Sequence, residues 1–158
     1  MQKKKVLVVD DEQDVRETLG TVLEKLDYDA VTAADGDEAL DIVRNQKIDV
    51  ILSDLYMPGM NGIELLKRIK MMKSNIVFLM ITAHPTIETA VDAIKKGAYD
   101  YLTKPFHIEE VRIKISRAME KSGLTQSLRW ANGLVWALII SIPLWLVLGI
   151  ILASMLGD

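Results

Sequence analysis

Four short apolar runs, each closing on a polar residue of reactive type, constrain this chain more than any other feature. They are Val6-Leu7-Val8-Val9 before Asp10 and Asp11, Val50-Ile51-Leu52-Ser53 before Asp54, Val77 to Ile81 before Thr82, and Tyr101-Leu102-Thr103 before Lys104. An apolar run this short, bounded by polar residues, reads as a parallel strand buried on both faces. Strands of one parallel sheet end at a common edge, where open α/β folds place their sites. The reading therefore gathers Asp10, Asp11, Asp54, Thr82 and Lys104 at one place.

Helical patterns separate the runs. Val15, Leu19, Val22, Leu23 and Leu26 recur at helical spacing after Asp11-Glu12, giving a first amphipathic helix. Asp29 to Ala33 is a weaker strand, placed at an edge, and a helix over Gly36 to Asn45 turns Ala39, Leu40 and Val43 inward. Met57-Pro58-Gly59-Met60-Asn61-Gly62 is dense in turn residues, so the chain reverses there before a helix carrying Leu65, Leu66 and Ile69. A helix with Ile87, Val91 and Ile94 stops at Gly97, a helix-ending residue. The last helix of this region starts near His107 and is expected to bury Ile108, Val111, Ile115 and Met119. Five βα units with right-handed crossovers make a doubly wound five-stranded parallel sheet covered on both faces.

Charge narrows the partners. All 19 Lys and Arg lie between Lys3 and Arg129, with 21 of the 22 acidic residues. A net of about two negative charges over that stretch argues against a nucleic-acid partner. There is no cysteine, so disulfides and thiolate metal sites are excluded. Lys3-Lys4-Lys5 before an apolar run resembles the start of a secretory signal, but Asp10 ends the run after four residues, short of the roughly 7 to 15 an h-region needs. The lysines read as a solvated N-terminus.

Three carboxylates at one edge either rise in pKa or hold a divalent cation. Mg2+ suits oxygen ligands while keeping waters for a phosphoryl group, so Asp10, Asp11 and Asp54 are candidate ligands. The metal would draw off charge during in-line transfer to Asp54, the candidate phosphoacceptor. Lys104 supplies the opposing positive charge and Thr82 a hydroxyl for a phosphoryl oxygen. Each residue has a plainer reading when taken alone: Asp11 as the cap of the first helix, Asp54 as a turn residue, Thr82 and Lys104 as structural or solvated groups. Their joint placement at four strand ends favours the site. His84, two residues past Thr82, is read as a loop histidine or as a group that tunes water access to the phosphate, and His107 as an ordinary first-turn residue. The methionines need no cofactor.

Residues 4 to 121 resemble the receiver domain of bacterial two-component response regulators. The resemblance rests on Val9-Asp10-Asp11-Glu12, Ser53-Asp54-Leu55-Tyr56-Met57-Pro58-Gly59-Met60-Asn61-Gly62, Ile81-Thr82-Ala83-His84 and Tyr101-Leu102-Thr103-Lys104-Pro105-Phe106, all in family order. The stretch Gly97 to Phe106 is most similar to receivers of the nitrogen-regulator type. The resemblance implies a flavodoxin-like sheet of strand order 2-1-3-4-5. It implies that Asp54 takes phosphate from the histidine of a sensor kinase, with self-directed transfer and no released product, and that Asp10, Asp11, Asp54 and the Tyr56 carbonyl bind Mg2+. It further implies that Thr82 and Tyr101 shift together on phosphorylation and that the Lys104-Pro105 bond is cis.

The tail departs from that family. No residue from Leu134 to Met155 is charged, and the 23 residues Leu134 to Leu156 reach about 34 Å as a helix, against a hydrocarbon core of about 30 Å. The expected organisation is a receiver over 1–121, a linker over 122–129 and a transmembrane tail anchor over 130–158. Arg117, Lys121 and Arg129 precede the span and only Asp158 follows it, which places the receiver at the cytoplasmic face of a bacterial inner membrane. A nitrogen-regulator relative would continue into an ATPase and a DNA-binding domain; here no phosphate-binding Gly-rich loop occurs, and the tail stands in that place. Gly133, Ala137, Ser141, Trp145, Gly149, Ala153 and Gly157 fall on one i, i+4 row and are mostly small, so the span is either a plain anchor or a pairing helix. The expectation is a single-domain switch meeting an effector at the membrane, alone or as a homodimer through receiver or span. A phosphate sink for a shared kinase and a phosphorylation-independent scaffold are the alternatives.

Overall fold

The computed structural model describes residues 3–73, 75–123 and 139. The chain divides into two compact units, Met1–Ser122 and Gly123–Asp158, and nearly all described residues belong to the first. Among the described residues no helix is long and apolar enough to cross a membrane; apart from Ile139, the expected span lies outside them.

The first unit alternates β1 (Lys5–Val9), α1 (Gln13–Lys25), β2 (Asp29–Ala33), α2 (Gly36–Asn45), β3 (Val50–Asp54), α3 (Gly62–Met72), β4 (Val77–Thr82), α4 (Ile87–Lys95) and β5 (Asp100–Thr103). A fifth helix, α5, follows over residues 108–123. The strands form one parallel sheet of order β2-β1-β3-β4-β5. Its interior strands β3 and β4 are buried at every residue, which is why they read as unbroken apolar runs rather than alternating ones.

Side chains alternate across the sheet and divide the core in two. Leu7, Val9, Ile51 and Phe78 pack with α2 and α3 on one face. Val6, Val8, Leu52 and Leu79 pack with α1 and α5 on the other, through Leu19, Leu23, Val111 and Ile115. Polar residues start three helices: the side chains of Asp35, Asn61 and Thr86 accept from the backbone N–H of Glu38, Glu64 and Thr89, meeting donors that the first turn leaves without partners. Gly97 follows the end of α4 with φ 101°, a left-handed turn that glycine adopts without a Cβ penalty.

One helix differs from the expectation. Ile108 is 63% exposed rather than buried, and α5 packs through Val111, Ile115 and Ala118, with Met119 partly buried. Ile108 opens the helix, a turn before its first buried residue. In α4 only Ala93 is buried, and Ile87, Val91 and Ile94 all face solvent. Helical periodicity identifies an apolar stripe but not whether anything covers it.

Candidate phosphoacceptor site

The polar residues reach one edge because strand pairing continues a residue past the strand ends. Asp10 N–H donates to the Ala33 carbonyl (3.2 Å), Leu55 N–H to Ile81 (2.8 Å) and Lys104 N–H to Thr82 (2.8 Å). Each of these bonds fixes the backbone at or next to a functional residue. Gly62 N–H also donates to the Leu55 carbonyl at 3.0 Å, bringing the start of α3 against the acceptor strand.

Lys104 organises the site. Its Nζ lies 2.8 Å from Asp10 Oδ2, 2.8 Å from Asp54 Oδ2 and 3.0 Å from Glu12 Oε1. Asp10 is fully buried and Asp54 is 6% exposed, whereas Glu12 is exposed. The second oxygens accept backbone donors: Asp10 Oδ1 from Glu12 N–H at 2.9 Å and Asp54 Oδ1 from Tyr56 N–H at 3.2 Å. The Lys104-Pro105 peptide bond is cis.

Burial raises the Asp10 pKa, against the opposing pull of Lys104. Burial alone would lower Lys104, but the carboxylates of Asp10, Asp54 and Glu12 outweigh it and hold the ammonium well above the ordinary lysine range. Three carboxylates facing one ammonium leave the site short of positive charge. Asp10 Oδ2 is buried with no donor in hydrogen-bonding geometry; its close approach to Lys104 is an ion contact only. Oxygens of Asp10, Glu12 and Asp54 lie within 4.8 Å of one another, an all-oxygen donor set short of cationic partners, which fits a hard divalent ion.

The predicted residues fall into place unequally. Asp10, Asp54 and Lys104 converge. Thr82 is buried at the same edge, its hydroxyl accepting from His84 N–H at 3.2 Å. Leu55, Met80, Thr82, Ala90 and Tyr101 line a hollow between β4, α4 and β5. Asp11 is exposed and stands outside the close carboxylate group, and Tyr56 N–H binds Asp54 while the Tyr56 side chain is exposed. Asp11 does not cap α1 either; the N-cap is Glu12, with no side-chain bond to the helix. Sequence reasoning passed over Glu12 as a site residue, although it stands beside the Asp pair.

A family model described as the response regulator receiver domain matches residues 6–116. The chain belongs to the response regulator receiver family. It is 38% identical over 117 residues to the sporulation initiation phosphotransferase F of Bacillus subtilis, covering 74% of this chain and 94% of that protein. It is 40% identical over 119 residues to the DNA-binding transcriptional regulator NtrC of Escherichia coli, covering 75% of this chain but only 25% of the regulator. The crystal structure of a response regulator receiver domain protein from Clostridium thermocellum superposes with a TM-score of 0.74 at 31% identity, covering 77% of this chain and 98% of that one. The chain thus spans nearly all of one relative and about a quarter of the other. It is a phosphoacceptor receiver of the two-component type, with the flavodoxin-like strand order expected of it. Receivers take phosphate from sensor histidine kinases and bind Mg2+ in an acidic pocket of this kind.

Proposed function

We propose that the chain is a membrane-anchored single-domain response regulator that accepts phosphate on Asp54 and signals by protein contact. The observation carrying the acceptor assignment is the pair of 2.8 Å contacts from Lys104 to Asp10 and Asp54 across the sheet edge. Asp54 is held by two donors, the Tyr56 N–H and the Lys104 ammonium. A carboxylate oxygen attacks phosphorus as the bond from phosphorus to the sensor's histidine nitrogen breaks, and the electron pair returns to the imidazole. Lys104 then faces the added charge, and the Thr82 hydroxyl reaches a phosphoryl oxygen. Asp10 and Asp54, with Asp11 and the Tyr56 carbonyl, would hold Mg2+, which supplies positive charge for the transferring group. The chain modifies itself and releases no product, so it acts as a switch rather than an enzyme.

Output runs through α4, β5 and α5. Ile87 of α4 is 80% exposed, with Val91 and Ile94 on the same helix, and Tyr101 of β5 and Ile113 of α5 also exposed. An uncovered apolar stripe beside the Thr82 and Tyr101 hollow suits a surface that a partner covers once both residues shift. Anchoring, with the receiver on the cytoplasmic side of the inner membrane, is supported by the uncharged stretch Leu134–Met155 and its basic flank.

The test is Mg2+-dependent phosphorylation of the detergent-solubilised chain by a small acyl phosphate, with Asp54→Ala as control. Incorporation that survives Asp54→Ala sinks the assignment. The second reading, a phosphate sink, draws on the near-complete match to a phosphotransferase; label lost in seconds favours it, and label lasting minutes favours the switch.

A further inference from the structure

Net charge conceals a polarity that the topology reveals. All five strands run the same way, so the loops entering them gather at the edge opposite Asp54, with the N-terminal lysines and the end of α5. Segments 3–5, 23–29, 43–49, 70–76, 94–99 and 120–123 at that edge hold eleven Lys and Arg against five Asp and Glu. Segments 10–14, 34–38, 54–64, 82–88 and 103–110 at the phosphoacceptor edge hold twelve acidic residues against one basic residue, Lys104. A five-residue strand separates the poles by about 17 Å, roughly twice the screening length of about 8 Å at physiological salt. Each pole therefore acts on its surroundings nearly independently of the other.

The basic pole is only partly neutralised. Lys3, Lys4, Lys5, Arg44 and Lys96 pair with Asp27, Asp49, Asp29, Asp41 and Asp92. Lys25, Lys47 and Lys95 are exposed and form no ion pair among the described residues. Lys70 and Lys73 donate to the carbonyls of Ile76 and Val43 rather than to carboxylates. Burial, aided by the nearby Lys121 charge, lowers the Lys70 pKa. Between Lys70 and Lys73, Met71 is 81% exposed with Met72 beside it. Lys121 Nζ sits 4.7 Å from the Tyr99 ring centre just before β5, so the last described turn of α5 lies at this pole, and the sequence continues toward the uncharged run.

We propose that the basic pole docks on an anionic lipid surface, its lysines against headgroup phosphates and Met71 between them, with the Asp54 edge turned to the aqueous phase. A solvated basic rim around an exposed apolar side chain is the pattern of interfacial membrane contact. The orientation leaves the acidic edge and the α4 stripe open to kinase and effector. The inference deepens the membrane reading above and rests on it.

Residues 1–123 suffice for the test, because the first unit has its own two-faced core and the receiver makes up 94% of a whole relative. The chain has no cysteine, so Met71→Cys carries a single environment-sensitive fluorophore, with Asp37→Cys on the opposite edge as reference. The fragment is expected to sediment with vesicles of phosphatidylglycerol and phosphatidylcholine, to be released by salt, and to shift emission to the blue from position 71 alone. The triple variant Lys25→Gln, Lys47→Gln, Lys95→Gln is expected to bind about 100-fold more weakly, at roughly fivefold per lysine, while taking phosphate from an acyl phosphate at the parent rate. Equal binding to pure phosphatidylcholine, a fluorophore response at position 37, preference for duplex DNA over vesicles, or a loss under about threefold each overturns the proposal. Alkaline extraction of the full chain from membranes tests the anchor separately: release there refutes anchoring, and the vesicle result for 1–123 stands apart from it.

Discussion

A methyl group added at Gly62 measures how far the position of Asp54 depends on the close approach of α3. A Cβ there would lie 2.2 Å from the Asp54 backbone oxygen, 2.8 Å from Met80 Sδ and 3.1 Å from the Asp54 carbonyl carbon. The methionine can swing aside, but the strand backbone cannot, so about 1 Å must open between α3 and β3. Overpacking of this kind costs about 3 kcal/mol, the upper part of its usual range. The 3.0 Å bond from Gly62 N–H to Leu55 is stretched as well, at about 1 kcal/mol more. At roughly 4 °C per kcal/mol for a domain of this size, Gly62→Ala should melt about 12 to 16 °C below the parent. A 1 Å displacement of the acceptor should also slow phosphorylation by an acyl phosphate about 100-fold. The reference is Gly20→Ala in α1, where a Cβ meets nothing within 4 Å and helix propensity alone should add about 0.5 to 1 kcal/mol. Thermal melts by circular dichroism and initial phosphorylation rates decide the matter. A Gly62→Ala protein that melts within about 2 °C of the parent and takes phosphate at the parent rate refutes the argument.

Lys104→Met removes the ammonium that faces Asp10 and Asp54, and urea titrations at pH 7.5 should show a loss of about 3 to 5 kcal/mol that shrinks in acid as Asp10, its pKa raised by burial, takes up a proton. In the parent, the raised Lys104 pKa means that its contribution is complete below the ordinary lysine value of 10.5 and is lost as pH rises through the higher folded value, so melts should fall off only in strong alkali. Asp10 works in the opposite sense: because burial raises its folded pKa above the ordinary 3.8, stability falls as pH climbs from that ordinary value through the higher folded one, and Asp10→Asn should flatten that slope. Mg2+ at ten times its dissociation constant should stabilise the parent by about 1.4 kcal/mol, raising the melting temperature by roughly 5 °C, with EDTA reversing the gain and Asp54→Ala weakening it.

Much of the fold was legible because the buried strands carry no alternation to misread. β2 and α2 fall on their expected residues, and β2 lies at the sheet edge as its weaker pattern suggested. The convergence of Asp10, Asp54 and Lys104 was equally legible, since parallel strands leave their following residues no other place to meet. Glu12 was missed because its reach to Lys104 depends on a long side chain at the start of α1, which strand arithmetic does not describe. Exposure of Ile87, Val91, Ile94 and Ile108 was illegible for another reason: an apolar side chain awaiting a partner has the same sequence signature as one already covered. The charge polarity escaped a linear reading because the contributing segments alternate along the chain and separate only when the strands align.

The two rims of the sheet bear on crowding. β5 is only four residues long and runs into Pro105, which has no N–H to offer a sixth strand. β2 opens on Asp29, whose carboxylate is held by Lys5 of the neighbouring strand, and exposes Thr32. Short, charged or proline-blocked margins are poor templates for edge-to-edge β pairing. On the proposed anchoring, a chain gathered at high density on a two-dimensional surface would thereby be protected from polymerising through its own backbone, and its encounters there would be left to side chains.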